Sequence, residues 1–322
     1  MTPDSRLTVA VLSRNRPEYL EQMLDALRQT AMDAVVVVRD HSDDDRCERL
    51  VDRFAVENPR WAITHIYAEP PGQLENVLGA IADCRTEFLT ILHDDDLVSP
   101  RLTEVLLPPM LADSRIGFAA GNVNSVDSST KLLKKMTVAM YSTTGPVTLP
   151  TADDRARFHI VERKMTPFLG TIFRTEALVG LRLPPQAPTL PDLWVARHMV
   201  DQEFDGWITT EVLASYRVHN ASVSADGRDL DGYQFTIGAF LNDPTFALYR
   251  NELELALRSY ERSAYVSRFV AGDRSKQNVS RILATASSVS GARRWAMRLA
   301  LRPPFSALTC RYLRMHNPRL RT

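Results

Sequence analysis

The chain has 322 residues, with 39 Lys and Arg against 39 Asp and Glu, a formal net charge of zero and 44% apolar residues. That length suits one large domain with an appendage, the composition is that of an ordinary globular protein, and the balanced charge argues against a nucleic-acid partner. Cys47, Cys84 and Cys310 are odd in number and form no CxxC pair, which argues against a disulfide framework or a zinc site and fits a reducing compartment.

In chain order, residues 7–13 (LTVAVLS) read as a buried strand, and Pro17 opens a helix whose Leu20, Met23, Leu24 and Leu27 share one face. Residues 34–38 (AVVVV) predict a second strand, covered on both faces. Residues 43–58 predict a helix stopped by Pro59, 63–67 a strand, 74–84 a helix, 87–92 (EFLTIL) a fourth strand, 100–112 a helix and 116–120 another strand. This alternation predicts a doubly wound, mostly parallel α/β sheet that binds ligands at the carboxyl ends of its strands. Residues 131–163 are polar and expected to be rich in loops, 168–174 (FLGTIFR) form a strand, 192–200 a short helix and 212–218 (VLASYRV) a late strand, with helices from Tyr233 onward. The expected division is an α/β domain over 1–227, in halves of about 1–125 and 126–227, then a basic helical region over 228–322.

Four clusters carry possible chemistry. His93-Asp94-Asp95-Asp96 follows the buried EFLTIL strand. Three adjacent carboxylates repel one another, and a divalent cation relieves that repulsion; a helix cap accounts for one of them, not three. Arg39-Asp40-His41-Ser42-Asp43 follows the AVVVV strand, where an acidic side chain can hold a nucleoside or simply form a solvated turn. In Pro191-Asp192-Leu193-Trp194, the carboxylate beside an aromatic suits either a general base with a stacking platform or a helix start with a core Trp. Within residues 216–224 (YRVHNASVS), Arg217, His219 and the serines can face a diphosphate, or the histidine is structural. The sequence contains no GxGxxG, Walker A, GxSxG or HExxH motif.

Taken in order, VAVLSRNRPEYLEQMLDAL, VVVVRDHSDDD, FLTILHDDDLVSP, FLGTIFRTEAL, PDLW and YRVHNASVS resemble the family 2 glycosyltransferases of the GT-A fold, over roughly residues 6–225. The resemblance implies an inverting enzyme with a nucleotide-sugar donor, a UDP-sugar being favoured, and a saccharide or lipid-linked acceptor in bacterial polysaccharide or glycoconjugate synthesis. It implies that Asp95 holds Mn²⁺ or Mg²⁺ with help from His219, that Asp94 lies nearer the ribose, and that Asp40 with Ser13, Arg14 and Asn15 holds the nucleoside. Asp192 becomes the general base, and Trp194, Gly170 and Thr171 fall on the acceptor side. Arg39, His93 and Pro191 depart from the family pattern, which commonly has an acidic residue at each place.

Two other classes fit parts of this pattern. A nucleotidyltransferase also uses carboxylates and Mg²⁺, but its first loop is usually glycine-rich and SRNRPEY has no glycine. A GT-A-like binding module without activity is the second. The first residues, MTPDSRLT, lack the apolar core of a secretion signal, and the charge-free run between Lys135 and Asp153 is broken by Thr, Gly and Pro, so a cytoplasmic location is expected. After Asp273 there is no acidic residue, while Lys276 and ten arginines follow. This tail is expected to lie on the inner face of an anionic membrane or to meet a second subunit.

Overall fold

The computed structural model describes residues 5–29, 34–59, 62–70, 72–139, 141–163, 168–218 and 229–285, together with Leu301 and Cys310. The chain divides into two compact units, Met1–Arg217 and Val218–Thr322.

The first unit begins with β1 (Leu7–Ser13), α1 (Pro17–Arg28), β2 (Ala34–Asp40), α2 (Arg46–Glu57), β3 (Ala62–Tyr67), α3 (Gln73–Asp83) and β4 (Phe88–His93). β2 and β4 flank β1 in parallel, and β3 runs parallel to β2. Every residue of β1 is buried, because both faces of the sheet are covered. Leu7, Val9 and Val11 pack with Leu20, Met23, Leu24 and Leu27 of α1 and with Leu50, Val51 and Phe54 of α2. The alternate residues point to the opposite face, where α3 lies against β1, β2 and β4. Each fully buried Leu or Val contributes roughly 1.5–3 kcal/mol, so this sandwich is the stable platform beneath the loops that follow its strands.

The chain continues with β5 (Leu97–Val98), α4 (Leu102–Ala112), β6 (Ile116–Asp127), β7 (Leu132–Ala139), β8 (Gly145–Val147), α5 (Ala152–Ala156), β9 (Thr171–Arg174), α6 (Pro191–Asp201) and β10 (Asp205–Val218). The sheet order is β3-β2-β1-β4-β9-β6-β10-β5, with β7 added to β6 and β8 to β10. The doubly wound α/β architecture is therefore present, and its parallel part is extended beyond β4 by antiparallel pairing of β9 with β4 and β6.

Residues 131–163 are not the loop-rich stretch expected. They contain β7, β8, α5 and a turn of π-helix at Arg157–Val161. β6 runs past the expected end at residue 120 to Asp127, and Asn122 is buried within it. Its amide donates to the carbonyls of Tyr141 at 3.2 Å and Thr210 at 2.9 Å, and its oxygen accepts the Tyr141 N–H. The strand expected from residue 168 starts only at Thr171, since Phe168 (φ 79°) and Gly170 (φ 71°) turn the backbone through the left-handed region. A Cβ on Gly170 would lie 3.1 Å from Val123 Cγ2, so the glycine also permits this close approach.

In the second unit, α7 (Leu230–Asn242), α8 (Arg250–Ala271) and α9 (Lys276–Thr285) share a core of Leu230, Ala264, Tyr265, Phe269, Val270, Ile282, Leu301 and Cys310. Leu301, one of the apolar residues of the tail, is thus buried in this core and absent from any membrane-facing surface. The rest of 286–322 lies outside the described residues. Among the described residues, no helix is long and apolar enough to cross a membrane.

Candidate active site

The chain leaves β1 in one direction for β2 and β3 and returns on the other side as β4, so the sheet order reverses between β1 and β4. In open α/β sheets the crevice outside the strand ends at such a point is the ligand site. Register brings the candidates together there: Ser13 lies opposite Asp40, and Leu12 opposite His93. Backbone bonds continue past the strands, with His41 N–H donating to the Ser13 carbonyl at 3.3 Å and Asp94 N–H to that of Leu12 at 3.1 Å.

The acidic loop after β4 is where charge accumulates. Asp94 is fully buried. It accepts from Ser13 Oγ at 2.9 Å and the Arg14 N–H at 3.4 Å, and it pairs with Arg16 Nη2 at 2.9 Å. The same guanidinium pairs with Asp95 through Nη1. Burial, opposed by Arg16 and reinforced by Asp95, raises the Asp94 carboxyl to about 7. Asp96 is also buried and is pushed well up, by burial first and by Asp95 next, although it accepts the Arg217 N–H at 3.2 Å. Beneath the loop, Arg217 is 2% exposed. Its Nε donates to the Asp95 carbonyl at 2.8 Å and its Nη2 to Gln22 at 2.9 Å, while the guanidinium carbon lies 4.8 Å from the centre of the Tyr19 ring. Arg217 therefore supports the loop from within, where the sequence suggested a side chain open to a diphosphate.

His93, Asp95 and Asp96 each offer one donor atom within 4.8 Å of the others. Oxygen or nitrogen ligands about 2.1 Å from a divalent ion lie up to ~4.2 Å apart, so this group needs little adjustment to hold one. His93 Nε2 is buried with no hydrogen-bond partner among the described residues, and burial lowers the imidazole's pKa, keeping it in the neutral form that ligates metals. The residues present fit Mn²⁺ or Mg²⁺. His219, expected as a further ligand, lies outside the described residues.

On the neighbouring strand, Asp40 is 1% exposed. One oxygen accepts from Ser42 N–H at 3.0 Å and Ser42 Oγ at 2.6 Å, and the other lies 3.3 Å from His65 Nε2. Burial pushes its pKa up, but the bonds from His65 and Ser42 together outweigh that and leave it lowered. Asp40 is thus a buried anchor for Ser42 and His65. Asn15 joins the two loops from a left-handed backbone (φ 55°): its N–H donates to Ser42 Oγ at 2.6 Å and its side-chain amide to Asp43 at 2.7 Å. Arg39, where the resemblance led one to expect an acid, turns away and pairs with Asp83.

Asp192 sits in the first turn of α6. Burial raises its carboxyl, partly offset by the Leu193 N–H, by Arg163, by its own N–H and by the charge of nearby His93. Asp192 therefore lies within electrostatic reach of the acidic loop. Trp194 follows it on α6 and is partly buried, whereas Gly170, in the turn before β9, and Thr171, which opens that strand, are both buried. Sequence reading missed Arg16 and His65, whose roles depend on partners from other strands.

Among solved structures, the chain is similar to a mannosyltransferase from Pyrobaculum calidifontis in complex with GDP-Man and Mn²⁺, with 19% identity, a TM-score of 0.57 and coverage of 96% of this chain and 84% of that one. It is also similar to residues 1–349 of S. aureus TarS, with 12% identity, a TM-score of 0.56 and coverage of 91% and 83%. The same TarS fragment in complex with UDP-GlcNAc gives 14% identity, a TM-score of 0.56 and coverage of 98% and 89%. At identities this low the likeness concerns the fold, which is that of the GT-A glycosyltransferases. No curated protein sequence matches the chain. The profile of the glycosyltransferase-like family 2 matches residues 3–179, more than half of the chain, and the chain belongs to that family of sugar-transferring enzymes.

Proposed function

We propose that this enzyme moves a sugar from a nucleoside-diphosphate donor, a UDP-sugar being favoured, to an acceptor hydroxyl with inversion, and that it requires Mn²⁺ or Mg²⁺. The observation that carries this reading is the His93, Asp95 and Asp96 group at the switch point of the sheet. The group lies one strand from the loop bearing Ser13, Arg14 and Asn15, and two strands from Asp40. Those three residues face the nucleoside, while Asp40 holds Ser42 and His65 in place for it. His93, Asp95 and Asp96 would hold the ion, with His219 as a further donor. When bound, the ion supplies positive charge against the leaving diphosphate. The Mn²⁺ and nucleotide sugars bound by the similar structures support this assignment.

Asp192 accepts the proton of the acceptor hydroxyl as that oxygen bonds to the anomeric carbon. The bond from that carbon to the diphosphate oxygen breaks, and its electron pair leaves with the nucleoside diphosphate. A carboxyl raised by burial is a stronger base near neutral pH, and help of this kind is worth roughly 10²–10⁴-fold. Trp194 offers a ring on the acceptor side. The acceptor is a saccharide or a lipid-linked sugar, with the basic region over 274–322 bringing the enzyme to an anionic surface.

The test is a thermal-shift panel of UDP- and GDP-sugars with and without Mn²⁺, followed by measurement of nucleoside diphosphate released when acceptors are added. A ligand at 100 times its Kd stabilises by about 2.7 kcal/mol, so binding is visible. Asp95→Ala is expected to remove the Mn²⁺-dependent part of the shift. An unchanged metal-dependent shift in that variant would falsify the assignment of Asp95.

A further inference from the structure

The residue pairing across the acidic loop was not anticipated by any motif: Arg16, from the loop after β1, meets both Asp94 and Asp95. Its backbone is fixed, because its carbonyl accepts the Tyr19 and Leu20 N–H groups at 3.1 and 3.0 Å and so begins α1. The side chain is not fixed in the same way. It is 30% exposed, whereas Asp94 beneath it is 0% exposed and Asp95 is 14% exposed. The guanidinium thus lies at the mouth of the site, over carboxylates that face inward.

Asp95 is claimed twice. It is one of the three residues whose donor atoms can converge on a divalent ion, and its Oδ2 is also the partner of Arg16 Nη1. A divalent ion on the Asp95 carboxylate would stand close to the guanidinium on its Oδ2, and the two cations would repel each other strongly. Arg217, the other arginine of the loop, cannot yield instead, since it is almost wholly buried and occupied by the Asp95 carbonyl and Gln22. Arg16 is therefore the group that moves. Asp94 still tethers it, and the nearest new anion is the diphosphate of the donor, whose oxygens match the planar fork of a guanidinium.

Resting on the donor-site reading above, we infer that Arg16 is a diphosphate-recognising side chain held in reserve: it pairs with Asp94 and Asp95 until a divalent cation takes Asp95, and it then engages the diphosphate of the nucleotide donor. Two opposite effects follow from one residue. Without nucleotide, Arg16 competes with the metal. With nucleotide, it contributes to binding.

The experiment uses the full chain, EDTA-treated and desalted, as wild type, Arg16→Ala and Arg16→Lys. Free Mn²⁺ is followed by electron paramagnetic resonance without nucleotide, and UDP and GDP are then titrated at saturating Mn²⁺. Arg16→Ala is expected to bind Mn²⁺ alone about tenfold tighter and the nucleoside diphosphate about tenfold weaker, as loss of one charge-assisted contact implies. Arg16→Lys, which keeps the charge without the fork and guards against misfolding of the alanine variant, falls between on both readings. A residue that only shapes the loop would weaken both. Weaker or unchanged Mn²⁺ binding in the two variants overturns the inference, as does unchanged nucleotide affinity. If the wild type itself binds no Mn²⁺ with or without nucleotide, the metal reading fails and this one with it. If wild-type Mn²⁺ binding depends on Asp95 but ignores Arg16, only the role of Arg16 is lost.

Discussion

Replacing Asp94 with asparagine isolates the electrostatic cost of the acidic loop. The folded carboxyl titrates at about 7 against an ordinary 3.8, because burial outweighs the favourable charge of Arg16. A raised folded value means that the native protein holds this proton more tightly than the unfolded chain does. The resulting stability is fully present below about pH 4 and is lost as the pH rises through about 7. Asparagine has no proton to lose: its amide oxygen can face Arg16 and its amide nitrogen can donate to Ser13 Oγ, giving up only the long Arg14 N–H contact at 3.4 Å. Between pH 5 and pH 8 the wild type forfeits about two units at 1.36 kcal/mol each, about 2.7 kcal/mol, which the variant retains. For a unit of this size that corresponds to about 5–10 °C in melting temperature. The assay is thermal denaturation of EDTA-treated wild type and Asp94→Asn at pH 5 and pH 8. The variant is expected to gain on the wild type by about 5 °C or more between the two. A gap that stays constant, or that narrows, would show that Asp94 is ionised throughout and that Arg16 overcomes the burial.

Asp192→Asn is expected to leave nucleotide-sugar binding intact while transfer falls roughly 10²–10⁴-fold; near wild-type turnover would move the base elsewhere. A general base acts as its anion, so with Asp192 in the proposed role and burial raising its pKa, wild-type transfer is expected to decline as pH falls, with an inflection above the usual carboxylate range that vanishes in the variant. Arg217→Met leaves the Asp95 carbonyl and Gln22 without their donor and should cost about 3 kcal/mol or more in urea denaturation; a cost near zero would mean that the loop does not depend on it. Gly170→Ala combines a left-handed φ with a Cβ 3.1 Å from Val123 and should lose about 1–3 kcal/mol by the same measurement, against no loss if the turn relaxes freely.

Local pattern alone determined much of this protein. The apolar run of β1 and the β-branched run of β2 read as buried strands, the spacing of Leu20, Met23, Leu24 and Leu27 set the inward face of α1, and three adjacent carboxylates after a strand marked the site. These signals are short-range, because strand and helix periodicity is written in neighbouring residues. Other features needed the folded chain. The expected strand at 116–120 runs on to Asp127 because Tyr141 and Thr210 are brought beside Asn122 and satisfy its buried amide. Asp40 reads as a nucleoside contact until β3 supplies His65 and closes over it. Arg217 and the Asp95 carbonyl it supports are 122 residues apart. Arg16 and Asp95 are separated by 79. Whether such charges meet a ligand, a metal or one another depends on which strand ends the sheet places side by side, and that choice belongs to the packing of the whole unit.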